Sequence, residues 1–149
     1  MKKRMLKEFG ALEESLKWIT KDLKKMEDSW TDFFNAGDPQ DMYLRRTFGG
    51  LEDKLSDVRR KLQGIHAEIV AEGTLRHNKD GRYEIEGTDY YFTSGSSIEV
   101  LHSFYEDEPL EWIESTVEHD GADYYLTRLK GVSMNGLTAR AKRYPLWDY

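Results

Sequence analysis

The sequence has 149 residues, 38% of them hydrophobic and 34% charged, with a net charge of −6 at pH 7. Its aromatic content of 13% argues against a disordered chain, and the absence of cysteine excludes disulfides, thiolate metal ligands and a cysteine nucleophile. No apolar run approaches the roughly 20 residues of a membrane span, and the absence of cysteine favours the cytoplasm, so we expect a cytoplasmic protein that does not enter a membrane.

The acidic residues are concentrated in the second half of the chain. Residues 1–72 contain 14 basic and 14 acidic residues, whereas residues 73–149 contain 8 basic and 14 acidic residues. An acidic domain does not bind nucleic acid through a general phosphate-neutralising surface. The charge balance therefore predicts a protein partner with a basic surface, which the acidic half could engage by imitating nucleic acid.

Residues 1–72 show the pattern of two supercoiled helices. Apolar residues recur at alternating steps of four and three, which is the a/d signature of a coiled coil. The first run is Met5, Phe9, Leu12, Leu16, Ile19, Leu23, Met26 and Trp30, and the second is Leu44, Phe48, Leu51, Leu55, Val58, Leu62, Ile65 and Ile69.

A turn between the two runs predicts that they pair antiparallel. Gly37 suits a helix C-terminus, Asp38 an N-cap and Pro39 the first helical turn. Folding the chain here matches all eight apolar layers, from Trp30 with Leu44 to Met5 with Ile69. The sequence therefore predicts a long antiparallel, coiled-coil-like hairpin over residues 1–72.

Two features of the predicted hairpin stand outside this pattern. Gly49-Gly50 costs on the order of 2 kcal/mol relative to alanine, so we expect a kink or break in the second helix, or close packing that needs the missing side chains. Trp18 lies one residue off the seam, where it either covers the seam flank or anchors a partner.

From Gly73 onward the periodicity changes to two, with turn signals at short intervals. Strands are predicted at residues 75–77, 82–85, 98–102, 111–119, 122–129 and 137–143, with a two-residue turn at Asp120-Gly121. The sequence thus predicts an α+β protein with a helical hairpin over 1–72 and a small antiparallel sheet or SH3-like barrel over 73–149, ending in an aromatic tail.

The β half resembles a family of unknown function. The segments Thr93–Leu101, Val117-Glu118-His119, Tyr124-Tyr125-Leu126 and Gly136–Arg140 resemble a domain-of-unknown-function family of short β-rich proteins, encoded on plasmids, phages and conjugative elements of Gram-positive bacteria. The resemblance covers about residues 73–143 and not the helices. It implies a mobile-element origin and supplies no activity or catalytic residue.

No motif in the sequence predicts an enzyme, a metal or a cofactor. The four histidines are scattered without paired ligand spacing, and the Glu118–Asp123 segment lacks the ligand spacing of a calcium loop. The segment from Thr93 to Ser97 is neither a nucleophile elbow nor a phosphate-binding loop. We therefore expect a non-catalytic protein that acts by binding, as a monomer or a homodimer.

Two groups of residues are candidates for protein binding. The acidic group is Glu106, Asp107, Glu108, Glu111 and Glu114, and the aromatic group is Trp18, Trp147 and Tyr149. The leading hypothesis is a mobile-element protein that binds and inhibits or regulates a host protein, in its most concrete form an anti-CRISPR-like inhibitor of a Cas9-type nuclease whose acids occupy a basic channel.

The alternative hypothesis is a small nucleic-acid-binding accessory or regulatory protein. The one basic-aromatic cluster would carry this function, with cations on the phosphates and rings on the bases. Its residues are Arg140, Lys142, Arg143 and Tyr144. A solvated strand face covered by the tail explains the same cluster without any ligand.

Overall fold

The computed structural model describes residues 1–144 as two compact units. The helical unit contains Met1–Ala67 and Tyr144, and the β unit is Glu68–Arg143. The helices are α1 (Lys2–Asp28), α2 (Trp30–Phe33) and α3 (Pro39–His66), and the strands are β1 (Glu68–His77), β2 (Tyr83–Ile85), β3 (Tyr91–Phe92), β4 (Ser97–His102), β5 (Glu111–His119), β6 (Tyr124–Leu126) and β7 (Thr138–Arg143). Within these residues, no helix is long and apolar enough to span a membrane.

The third helix begins where the capping signals place it. Asp38 is the N-cap of α3, and its carboxylate accepts a hydrogen bond of 3.0 Å from the backbone nitrogen of Gln40. Pro39 occupies the first helical turn, where its missing N–H costs no hydrogen bond. The predicted start of this helix is therefore confirmed.

Helices α1 and α3 contact each other and run in opposite directions. Near the end of α1, Glu27 forms an ion pair of 2.7 Å with Arg45 near the start of α3. At the other end, the Nε2 atom of His66 lies 3.2 Å from the carbonyl oxygen of Leu6. The hydrogen bond from Arg45 also holds the pKa of Glu27 below its ordinary value.

In the contact between these helices, Leu16 and Leu62 of the predicted seam are buried, whereas the alternate heptad line of the seam is displaced by the line one position later. Heptad-spaced polar positions occupy it, with Glu13 beside His66, Glu27 beside Arg45, and Thr20 fully buried. Each of these residues follows a predicted seam residue directly. Six predicted seam residues are instead 38–48% exposed, namely Met5, Leu12, Ile19, Leu51, Val58 and Ile65. The predicted seam is therefore wrong at these positions.

The glycine pair does not interrupt α3. The helix is continuous through Gly49 and Gly50, so the expected break is absent. A Cβ atom built on either glycine meets no atom within 4 Å, which also excludes close packing as the reason for the missing side chains. The two glycines lower the helix propensity of α3, and the contacts of this 28-residue helix with α1 offset that loss.

Helix α3 ends earlier than its periodicity predicts. His66 is its last residue, and β1 begins at Glu68, so Ile69 lies in a strand instead of the last seam layer. Strand β1 pairs with β7 from Glu68 to Thr74, and the exchange of backbone hydrogen bonds with β7 replaces another helical turn. Residues 68–72 thus belong to the β unit.

The β unit is one curled antiparallel sheet with strand order β3-β2-β1-β7-β4-β5-β6. Its core joins side chains from both ends of this order, including Phe92 of β3 and Leu126 of β6, both fully buried. Strands that are far apart in the order can share a core only if the sheet bends around it. The α+β class is confirmed, with a sheet that forms a half-barrel.

The turn after β5 is wider than the predicted two-residue turn. His119 pairs with Tyr124, and Asp120 N donates a hydrogen bond to Asp123 O, so four residues connect the strands. The Asp120 carboxylate accepts hydrogen bonds from the backbone nitrogens of Ala122 and Asp123. These bonds favour the wider loop, and they hold the pKa of Asp120 below its ordinary value.

We expect Leu16→Asp to lower the free energy of unfolding by about 3 kcal/mol, because Leu16 is 3% exposed and a buried charge has no partner there. The matched control is Trp18→Asp on the same helix, where the side chain is 53% exposed and the expected change is under about 1 kcal/mol. Urea unfolding followed by circular dichroism measures both. Equal losses in the two variants would contradict the assigned contact line.

We expect Gly49→Ala and Gly50→Ala each to raise the free energy of unfolding by about 1 kcal/mol, because alanine favours the helix and its methyl group meets open space. Gly73→Ala is the control. Its Cβ would lie 3.0 Å from the buried Ile85 side chain, so stability should fall. Thermal melts of the three variants test this, and a loss at either helical glycine would speak against it.

Candidate protein-binding surface

The acidic candidates lie in and after the loop that joins β4 to β5. Pairing of His102 with Glu111 closes this loop, which we call the acidic loop (residues 103–110). Glu106, Asp107 and Glu108 are exposed within it. Glu111 is exposed at the first position of β5, and Glu114 is exposed further along that strand. The fold therefore brings the first four acids together, while Glu114 lies farther along the strand.

Three apolar side chains are exposed in the same loop. Phe104 is 43% exposed, Tyr105 is 74% exposed and Leu110 is 65% exposed. Large exposed apolar groups beside charged ones are typical of protein-binding surfaces. These residues were not among the candidates predicted from the sequence, although the segment SFYEDEPL between two predicted strands contained the signal.

The acidic loop has one unusual backbone conformation and one side-chain contact that ties it to the sheet. Asp107 adopts a φ of 65°, the one positive φ of a non-glycine residue within residues 1–144. The ring centroid of Phe104 lies 5.3 Å from the guanidinium carbon of Arg128, and Arg128 Nη1 donates to the carbonyl oxygen of Glu114. Arg128 thus connects the loop to β5 through a cation–π contact and a hydrogen bond.

The basic candidates Arg140 and Lys142 form an ion cluster with Glu99. Both the Nε and the Nη2 atoms of Arg140 donate to Glu99 Oε1, the shorter distance being 2.7 Å, and Lys142 Nζ lies 2.8 Å from Glu99 Oε2. The guanidinium also stacks 4.2 Å from the ring centroid of Trp112. These side chains are at most 17% exposed, so the two cations already have an anion and are largely withdrawn from water.

The remaining sequence candidates are dispersed. Arg143 forms an exposed ion pair of 3.3 Å with Glu68 across β1 and β7, and Tyr144 belongs to the helical unit. Trp18 is exposed on α1, with the ammonium groups of Lys17 and Lys21 each 5.6 Å from its ring centroid. Trp147 and Tyr149 lie outside the described residues.

A tyrosine and an aspartate interact at the β5–β6 turn. The Tyr83 hydroxyl donates a hydrogen bond of 2.9 Å to Asp123, and the Nε2 atom of His77 lies 3.7 Å from the same carboxylate. Burial, with the bond to Asp123, raises the pKa of Tyr83 to about 12. The phenol is therefore a hydrogen-bond donor at neutral pH and cannot serve there as a base. No group of three metal-ligating side chains occurs in the described part of the chain.

The helical unit contains a groove of about 960 Å³ between α1 and α3. Charges of both signs line it, among them Glu27, Arg45, Glu52 and Arg60, and Gly49 leaves its wall open. The Arg45–Glu27 ion pair neutralises part of this lining. The groove therefore presents no concentrated charge or apolar pocket comparable with the acidic loop.

The β unit is similar to a known family. The family described as "Domain of unknown function (DUF5348)" matches residues 73–141, which lie within the β unit. No curated protein and no solved structure matches the chain. The match supports the resemblance to a family of unknown function over this part of the chain, and it carries no activity.

We expect Glu99→Gln to lower the free energy of unfolding by about 3 kcal/mol, because it leaves Arg140 and Lys142 without their anion in a largely buried site. Glu114→Gln is the matched control, since Glu114 pairs with Glu99 across the sheet and is exposed. Chemical denaturation should show a change below about 0.5 kcal/mol for the control. A stable Glu99→Gln variant would mean that the cluster does not hold the sheet.

Proposed function

We propose that this protein is a non-catalytic cytoplasmic binding protein, which uses the acidic loop to bind a basic surface on a host protein and so inhibits or regulates that protein. The observation that carries this proposal is the exposure of Phe104, Tyr105 and Leu110 within one run of acidic residues. No metal or cofactor takes part in the proposed function.

The two kinds of side chain have different roles in such contact. Aromatic anchors supply most of the binding energy once a partner excludes water from them. The surrounding carboxylates accelerate association with a basic surface and disfavour acidic partners. Arg128 keeps Phe104 close to β5, so part of the anchor is positioned before binding.

The most concrete form of the proposal is an anti-CRISPR-like inhibitor of a Cas9-type nuclease, encoded on a mobile element. Such nucleases hold their guide and target strands in a positively charged channel, which an acidic loop could occupy. The support is the acidity of the β unit together with the resemblance to mobile-element proteins, which is an association and not a motif.

Nucleic-acid binding through the basic cluster is the second candidate. It would need Arg140 and Lys142 to exchange Glu99 for a phosphate, at the cost of leaving that carboxylate uncompensated. This requirement favours the protein-binding function. Arg143 is the exposed member of the cluster, and Arg143→Glu is the variant that would weaken single-strand binding without entering the Glu99 cluster.

The proposal also includes the type of helix pairing in the helical unit and the type of barrel to which the sheet is related. We propose that α1 and α3 serve as a coiled-coil-like hairpin arm. We also propose that the curled sheet is related to SH3-like barrels. A rigid arm and a small sheet with one prominent loop suit recognition of a large surface.

We expect reversal of Glu106, Asp107, Glu108 and Glu111 to lysine to weaken binding to a basic partner tenfold or more, by a rough estimate from several lost charge contacts. Fold should survive, since all four residues are exposed. The wild-type protein and the variant are each added to a panel of purified Cas9-type nucleases, and cleavage and binding are measured at two salt concentrations.

Two further variants separate the contribution of the aromatic side chains to binding from that of the acidic charge. Phe104→Ala with Tyr105→Ala tests the aromatic anchors. Reversal of four exposed acids elsewhere in the β unit, Glu72, Asp80, Glu86 and Asp89, controls for the same change in net charge. Binding that survives the acidic-loop reversal, but is lost on deleting residues 145–149 or on Trp18→Ala, would contradict the proposal. If no nuclease of the panel is bound or inhibited, a Cas9-type nuclease is excluded as the partner.

A further inference from the structure

The exposed seam residues form an apolar stripe, by which we mean Met5, Leu12, Ile19, Leu51, Val58 and Ile65. On each helix its members are spaced seven residues apart, so they lie along one line. All six are 38–48% exposed. A line of this kind on a folded helix indicates a face that another element covers.

Both halves of the stripe lie on the same side of the helix pair. On α1, Ile19 directly precedes the contact residue Thr20, and on α3, Ile65 directly precedes the contact residue His66. Both helices turn with the same hand, and they run in opposite directions. A backward step of one residue therefore rotates the two lines toward the same side of the pair. The result is one apolar face on a layer of two helices.

The size of this face fits association with another protein surface. Six large side chains at this exposure leave on the order of 500 Å² of surface in water, compared with roughly 800 Å² for each partner in a standard interface. The long side chains along the edges of the face would supply the remainder. A layer of two helices that meets an identical layer forms a four-helix bundle, which buries such a face fully.

The charges at the two ends of the helix pair select the occupant and its orientation. Residues 1–7 contain four basic residues and no acidic one, whereas residues 27–46, which form the turn end of both helices, contain five acidic residues and two basic ones. An identical copy turned end over end places each basic end against an acidic end. A copy in the same orientation would place like charges together.

We propose that two copies of this chain associate through the apolar stripe as an antiparallel four-helix dimer. A two-fold axis crosses the face near Val58 and between Leu12 and Ile19. Leu12 of each copy then packs against Ile19 of the other copy, and Val58 packs against its own equivalent. Lys3 and Lys7 approach Asp28 of the second copy. This dimer is independent of the proposed function, because the acidic loop lies in the other unit.

Sedimentation equilibrium at micromolar concentration should give twice the 17.5 kDa mass of one chain. Ile19→Glu with Val58→Glu should give a monomer with an unchanged helical circular-dichroism signal, because both residues are exposed in one copy. Trp18→Glu is the control, since Trp18 is exposed next to Ile19 but off the stripe. It should leave the dimer intact.

Cross-linking tests the orientation, because the natural chain has no cysteine. Val58→Cys should form a disulfide-linked dimer on mild oxidation, whereas Asp57→Cys, adjacent and exposed but off the stripe, should not. Lys3→Glu with Lys7→Glu should weaken the dimer roughly tenfold, and adding Asp28→Lys with Asp32→Lys should restore it.

Three results would overturn the dimer. The first is a monomeric wild-type chain at tens of micromolar concentration, by the same measurement. The second is a dimer that persists in the Ile19→Glu, Val58→Glu variant. The third is a monomer in which those two substitutions lower the melting temperature, which would mean that another part of the same chain covers the stripe.

Discussion

The polar contact between α1 and α3 determines which side chains of the helical unit face inward and which face outward. Glu27 with Arg45, and His66 with Glu13 and the backbone of Leu6, fix two long helices side by side through specific contacts. Hydrogen bonds and ion pairs have narrow geometric requirements, so these pairs, together with the buried side chains Leu16 and Leu62, define the rotation of each helix. With that rotation, three apolar residues of each helix face outward, namely Met5, Leu12 and Ile19 on α1 and Leu51, Val58 and Ile65 on α3.

This arrangement separates stability from recognition. Ion pairs in exposed positions contribute little free energy, so the helix pair depends on the few buried residues along its contact line, such as Leu16 and Leu62. The β unit has a continuous apolar core of its own and needs no comparable support. A protein built in this way gains stability when a second surface covers its helices, which links association of the helical unit to folding.

Within the β unit, the two kinds of charged residue have opposite roles. Glu99 pairs with both Arg140 and Lys142 on the sheet and compensates one of their two charges, and burial makes this pairing necessary. The acids of the loop between β4 and β5 remain in water and have no such constraint. The acids of this loop therefore add negative charge to the surface of the unit, while Arg140 and Lys142 are largely withdrawn from it.

The sequence by itself determined the helix periodicity, the cap at Asp38, the change to strands and the positions of most turns, because these depend on local propensities and on spacing along the chain. It could not determine which of two adjacent lines on each helix forms the contact. An apolar line and a polar line one residue apart both repeat every seven residues, and only the cross-helix pairs distinguish them. It also could not show that Arg140 belongs to Glu99, or that Phe104 and Tyr105 are exposed. The first depends on the pairing of β4 with β7, and the second depends on what the curled sheet leaves uncovered; both are properties of the tertiary structure.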